Sequence, residues 1–205
     1  MPAIPIVFVI DDDAAVRDVI KDLLLSVGHA VESFASAEDF LAKRDPNAPG
    51  CLVLDVRLPG TSGLELQKRL IAQKDRIPII FISGYGDVPM AVQVMKAGAV
   101  DFLQKPFREQ ELLECVQEAL RRDHAQRENA EKISGVLTGY RSLTKREREI
   151  MKLVVTGQIN KQIAAQVGLS EVTVKIHRAQ VMHKMGTPSL ADLVRAADRI
   201  EAFLS

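Results

Sequence analysis

Short continuous apolar runs alternate, over the first 120 residues, with stretches in which apolar residues recur every three or four positions. The continuous runs are residues 6–10 (IVFVI), 51–54 (CLVL) and 78–82 (PIIFI), and residues 30–34 and 100–103, each interrupted by polar residues, read as two further strands. Runs of this length, rich in β-formers, read as strands buried on both faces of a parallel sheet. Between them lie helical patterns. Val16, Ile20, Leu23, Leu24 and Val27 share one face of a helix over 14–27, which Gly28 stops as its C′ residue. Ser36 is the expected N-cap of a short helix ending near Lys43, and DPNAPG over 45–50 is a loop. Ser62 caps a helix carrying Leu64, Leu66, Leu70 and Ile71. Asp87 is the expected N-cap of a helix through about Ala97, and another helix begins near Glu109.

Five strand–helix alternations imply a doubly wound, five-stranded parallel sheet with right-handed crossovers. All strand carboxyl ends then share one edge, where open α/β sheets bind ligands. Asp11 and Asp12 follow the first strand, and Asp55 ends the third before Pro59–Gly60 turns the chain. Ser83 follows the fourth and Lys105 the fifth. A single Asp after a strand is usually a turn cap; five polar residues converging on one rim are a site.

Composition adds bounds. Apolar residues are 47% of the 205, enough for a normal core. No apolar run approaches the length of a membrane span, and no cleavable leader precedes the first strand, so the cytoplasm is the expected location and no membrane partner is expected. Cys51 and Cys115 read as reduced core residues. The zero net charge divides unevenly: 11 basic against 6 acidic residues from Arg141 to Ser205, and 16 against 21 before it. A basic C-terminal part suits nucleic acid.

Three clustered carboxylates repel one another unless a cation sits among them, and Mg²⁺ (or Mn²⁺) suits such oxygen donors. Asp55 is then a nucleophile, with Ser83 and Lys105 placed to hydrogen-bond and ion-pair a phosphoryl group. VFVIDDDAAVRD, CLVLDVRLPGTSG, FISGYGDVPMAV and DFLQKPF resemble the receiver domain of two-component response regulators over residues 5–122, a flavodoxin/CheY-like fold. The resemblance implies that Asp55 is the phosphoacceptor. It implies that Asp11, Asp12, Asp55 and the backbone carbonyl of Arg57 bind the metal, and that Lys105 contacts the phosphoryl group. It further implies a cis Lys105–Pro106 peptide, Ser83 as switch hydroxyl, Phe102 as switch aromatic, and Arg57 and Tyr85 as neighbours that set the phosphate's lifetime. Asp13 falls outside the acidic pair and belongs to the start of the first helix, where its charge suits the dipole.

After Leu120 the apolar face gives way to RRDHAQRENAEK. Pairs Glu118–Arg122, Asp123–Arg127 and Glu128–Lys132 support a solvated helix of about 26 residues, about 39 Å long, ended by Gly135 and Gly139. Residues 1–122 are the expected receiver, 123–140 a helical linker and 141–205 an all-α, four-helix domain. In the last, Thr144 and Glu147 form a capping box, and helices opened by Asn160 and Ser170 are joined by VGLS, a helix-turn-helix candidate from Ile159 to Arg178.

On the helix after Ser170, Val174, Val181 and Met185 face the core, with His177 at its edge and Arg178 nearer the core side. Val172, Lys175, Ile176, Ala179 and His183 lie opposite. Exposed Val and Ile on a basic helix suit base edges and thymine methyls. Lys161 and Thr173, at helix starts, suit phosphates. LTKREREIMKLVVTGQINKQIAAQVGLSEVTVKIHRAQVMHKM resembles the LuxR-type helix-turn-helix over residues 140–205, and its pairing with a receiver is that of NarL/FixJ-type regulators. Ala179 stands where some relatives carry a basic base-reading residue. The resemblance implies a sensor histidine kinase and double-stranded promoter DNA as partners, a homodimer when phosphorylated, transcriptional activation more than repression, and RNA polymerase as a further candidate partner. It implies no enzyme beyond phosphotransfer to Asp55. Two alternatives are an aspartyl-phosphate hydrolase of the haloacid dehalogenase type, whose D-x-D lies within Asp11–Asp13 but whose later acids are missing after Lys105, and a receiver whose output binds only protein.

Overall fold

The computed structural model describes residues 4–84 and 88–204. The expected N-cap Asp87 and the neighbour Tyr85 lie outside the described residues. Two compact units divide the chain, residues 1–126 and 127–205.

In the first unit, β1 (Ile6–Ile10), β2 (Ala30–Phe34), β3 (Gly50–Asp55), β4 (Ile79–Ser83) and β5 (Asp101–Gln104) form one sheet in the order β2-β1-β3-β4-β5. Every pairing is parallel. Interleaved are α1 (Ala14–Ser26), α2 (Ala37–Lys43), α3 (Gly63–Ala72), α4 (Val88–Lys96) and the start of α5 (Glu109–Ser142). Strand alternation sends Phe8, Leu52, Leu54 and Phe81 into one core, with Leu66 and Val94, and Val7, Val9, Val53 and Ile80 into the other, with Leu24 and Val116. Both faces of the three central strands are therefore sealed, which is why β1, β3 and β4 are apolar almost throughout, while the edge strands β2 and β5 keep Glu32, Ser33, Asp101 and Gln104 exposed. Arg44 closes the first core, paired with Asp75 at 2.6 Å and lying over the Phe8 and Phe40 rings.

The local caps form as their residue types dictate. Asp13 accepts from the Ala15 N–H at 2.8 Å, and Ser62 with Glu65 and Thr144 with Glu147 close reciprocal capping boxes. Two residues in phase with their helical faces are nevertheless exposed: Val27, beyond the end of α1, and Ile71 on α3. Lys74 is the described non-glycine residue with positive φ, 59°, in the turn after α3. Left-handed backbone costs a side-chain-bearing residue about 1–2 kcal/mol.

The helix expected to stop at Gly135 runs on through Gly139 to Ser142, 34 residues in all. Glycine weakens a helix interior by only about 1 kcal/mol, which packing can offset. Val136, Leu137 and Tyr140 pack into the core of the second unit. A Cβ at Gly139 would lie 2.7 Å from the Lys184 carbonyl oxygen, so this glycine serves close approach rather than termination. Of the expected surface pairs, Glu118–Arg122 and Glu128–Lys132 form at 2.7 Å each. Asp123 is buried and accepts the Gly50 N–H at 3.0 Å at the start of β3.

Four more helices complete the second unit: α6 (Lys145–Val155), α7 (Asn160–Val167), α8 (Glu171–Lys184) and α9 (Leu190–Leu204). Ile150, Val154, Ile163, Val174, Val181 and Ile200 are among its buried core. No helix among the described residues is long and apolar enough to cross a membrane.

Candidate functional site

Asp55 is the last residue of β3, and its register partner on β4 is Ile82, so Ser83 stands one step beyond it on the next strand. Ser83 is fully buried, and its carbonyl oxygen accepts the Lys105 N–H at 2.8 Å. The sheet thus brings residues 55, 83 and 105 to one edge. Lys105 Nζ reaches Asp11 Oδ2 at 2.5 Å and Asp55 Oδ1 at 3.6 Å. Asp11, Asp12 and Asp55 each offer a carboxylate oxygen within 4.8 Å of the others. Asp11 and Asp55 are buried, while Asp12 is exposed. The Lys105–Pro106 peptide is cis, as the sequence resemblance implied.

The electrostatics follow from this crowding. Burial raises the Asp55 carboxyl to about 6; Lys105 pulls it down, and Asp11 and Asp12 push it up. At neutral pH the group is still mostly ionised and so able to act as a nucleophile. One ammonium among three carboxylates leaves surplus negative charge. Hard oxygen donors with surplus negative charge fit a divalent cation such as Mg²⁺ or Mn²⁺.

Sequence reasoning missed the residues that hold this pocket in shape. The Arg17 guanidinium donates to the carbonyl oxygens of Asp11 and Asp12 at 2.7 and 3.0 Å, bracing the acidic loop from one turn into α1. Only its position on the helical face away from the core hinted at such a role. Thr61 donates its hydroxyl to Glu38 Oε1 at 2.5 Å, tying the loop after β3 to α2 and holding the Glu38 carboxyl below its usual range. Gly63 donates its N–H to the Val56 carbonyl at 3.0 Å, and a Cβ there would overlap the Asp55 carbonyl oxygen. Phe102, the register partner of Phe81, is half-buried and packs against the Phe81 side of the core. Arg57 is exposed two residues beyond Asp55.

In the second unit, Gly168 takes φ 67° at the C-cap of α7, the left-handed turn that lets α8 restart at an angle, capped by Ser170 on the Thr173 N–H. Arg146 donates to the Val167 carbonyl and fixes that turn to α6. Glu147 is buried, ion-paired to Lys184 at 2.7 Å, which joins α6 to α8 and holds the carboxyl below its ordinary range.

Family models settle what these two units are. Residues 7–117 match the response regulator receiver domain, and residues 141–197 match the luxR family of bacterial regulatory proteins. The chain is a response regulator. Among its relatives, the response regulator protein TodT of Pseudomonas putida is 48% identical over 196 residues, 96% of this chain and 86% of TodT. Nodulation protein W of Bradyrhizobium diazoefficiens is 50% identical, covering 95% and 86%. The transcriptional regulatory protein FixJ of the same organism is 42% identical over 94% of each chain. A low-resolution structure of the response regulator StyR superposes with TM-score 0.88 at 47% identity, covering 96% of this chain and all of that one. This is therefore a two-component regulator with a LuxR-type DNA-binding domain, whose receiver implies a sensor kinase as partner.

The response regulator's α8 is divided as its periodicity predicts. Val174, Val181 and Met185 are buried. Val172 is 69% and Ile176 53% exposed, and Lys175, Ala179 and His183 are exposed beside them. Lys161 is exposed at the start of α7, and Thr173 is half-buried with its hydroxyl on Ser170. His177 is half-buried, its Nδ1 enclosed and without a described partner. Arg178 donates to Asn160 Oδ1 at 2.8 Å and so braces α7 against α8, using one of its five N–H donors.

Proposed function

We propose that Asp55 accepts a phosphoryl group from a sensor histidine kinase, and that the modified chain pairs with a second copy and activates transcription from promoter DNA. The observation that carries the acceptor assignment is the Lys105 ammonium held between Asp11 and Asp55. An Asp55 carboxylate oxygen attacks phosphorus, the bond from phosphorus to the kinase imidazole breaks, and its electron pair stays on the imidazole nitrogen. Lys105 shifts from Asp11 towards the new phosphoryl oxygens, and Ser83 donates its hydroxyl to one of them. Asp11, Asp12, Asp55 and the Arg57 backbone carbonyl would hold Mg²⁺ or Mn²⁺, which when bound neutralises charge on the phosphoryl oxygens. As Ser83 turns to the phosphate, Phe102 moves inward and the surface of α4 and β5 changes. A full swing between the two states requires roughly 5.5 kcal/mol of differential stabilisation.

At the output, Val172, Lys175 and Ile176 enter the major groove, with Lys161, Thr173 and the remaining donors of Arg178 on phosphates. The protein works in the cytoplasm, and RNA polymerase is the further protein it contacts at the promoter.

Acetyl phosphate with Mg²⁺, phosphate-affinity gels and mobility shifts on DNA selected by the chain itself test this. The parent chain should gain one phosphate and bind DNA more tightly; Asp55→Asn should do neither. Equal phosphorylation of Asp55→Asn would overturn the acceptor assignment.

A further inference from the structure

We propose a second binding site in the receiver unit, for a small organic carboxylate with an apolar body, at the sheet edge opposite Asp55. It goes beyond the phosphotransfer function and does not rest on it. A cavity of about 700 Å³ opens beside the first residues of β4, walled by the ends of α3 and α4 and by Arg122 of α5. That is the size range of small-molecule sites. Its floor is apolar: Leu70, Ile77 and Ile79 are buried there, and exposed Ile71 extends the apolar surface outward.

The charge at its lining is unbalanced. Asp75 lines the cavity but is committed to Arg44 at 2.6 Å. Arg122 is committed to Glu118 at 2.7 Å. Lys74 and Arg76 also line it, and among the described residues neither has an ion pair or a side-chain hydrogen bond. Two uncommitted cations beside an apolar floor complement a monoanion carrying hydrocarbon. An inorganic phosphate would leave the floor wet, and a neutral hydrocarbon would leave the cations unmatched.

Lys74 adds an independent observation. It sits at φ 59° in the turn after α3, closed by the Lys74 N–H on the Ile71 carbonyl and the Asp75 N–H on the Leu70 carbonyl. Glycine or asparagine takes that position at lower cost. Strained backbone held by its surroundings clusters at ligand clamps, and here the strained residue delivers one of the two cations.

The test titrates the full chain with naphthalene-2-carboxylate, naphthalene-2-carboxamide and acetate, read by amide chemical shifts. The carboxylate should give saturable shifts around Gln67, Lys74 and Ile77, with the carboxamide and acetate at least about tenfold weaker. Lys74→Gly with Arg76→Gln should weaken the carboxylate by at least about tenfold. Glycine suits this backbone, and phosphorylation of Asp55 by acetyl phosphate, at the other edge, should be unchanged. Carboxamide binding as tight as carboxylate, a double variant that binds like the parent, or no saturable shift by about 10 mM would each overturn the site.

Discussion

Lys105 Nζ is paired with Asp11 Oδ2 at 2.5 Å, on a carboxylate that is 1% exposed. Asp55 Oδ1 is farther from the same ammonium, at 3.6 Å. The lysine thus holds the buried member of the acidic pair and remains within reach of Asp55. Removing it should cost twice. Lys105→Ala leaves the carboxylates without this cation and, on the proposed function, a phosphoryl group on Asp55 without its ion pair. Loss of one charge-stabilising donor slows such steps by about a hundredfold or more. Stopped-flow phosphorylation of Lys105→Ala by acetyl phosphate should show that loss.

Gly63 presses the first turn of α3 against the Asp55 backbone. A methyl group there overlaps the Asp55 carbonyl oxygen and lies 3.1 Å from Val56 Cα, both of them backbone. Backbone cannot yield as a side-chain tip does, so Gly63→Ala should destabilise the first unit by about 1–3 kcal/mol. Urea unfolding should show the lower midpoint. Gly135→Ala, where a Cβ meets nothing within 4 Å, should not lower it.

The Glu147–Lys184 pair makes the second unit sensitive to acid. The Glu147 carboxyl is lowered in the folded chain, first by the Lys184 hydrogen bond. A depressed acid contributes stability above its unfolded value, near 4.5, and that contribution is lost as pH falls through the folded value. Lys184→Met should therefore cost about 1–3 kcal/mol at pH 7 and progressively less below about pH 4. Hydrogen exchange of α6 and α8 amides across pH checks both the size and the sign.

Ile176 is 53% exposed on α8, so cutting it back removes little packing. Ile176→Ala should leave the melting temperature within about 1 °C while costing about 1–3 kcal/mol in binding to the selected DNA. Lys161→Ala should instead weaken selected and random DNA alike and flatten the salt dependence. Mobility shifts at two salt concentrations separate the two effects.

Much of this was legible in the chain because the signals are local. Ser36, Ser62, Thr144 and Ser170 all cap the helices they precede, since a cap depends on a few neighbouring atoms, and Asp13, expected at the start of α1 for its charge, caps it as well. The polar rim was legible because strand ends in a parallel sheet have one direction. What failed depends on partners far away in sequence. Gly139 looks like a stop until the Lys184 carbonyl is placed against it. Asp123 looks like one more charge on a solvated helix, yet it is buried and accepts a bond from Gly50, 73 positions earlier. Arg17 carries no motif; its work is done on two backbone carbonyls.

The tail of α5 carries a lesson for anyone splicing regulators. The luxR-family match begins at residue 141, yet Val136, Leu137 and Tyr140 belong to the core it serves. A chimaera cut at that boundary would strip three apolar side chains from the domain it meant to transplant. Joined near residue 127, the donor segment keeps its own hydrophobic lining and arrives whole.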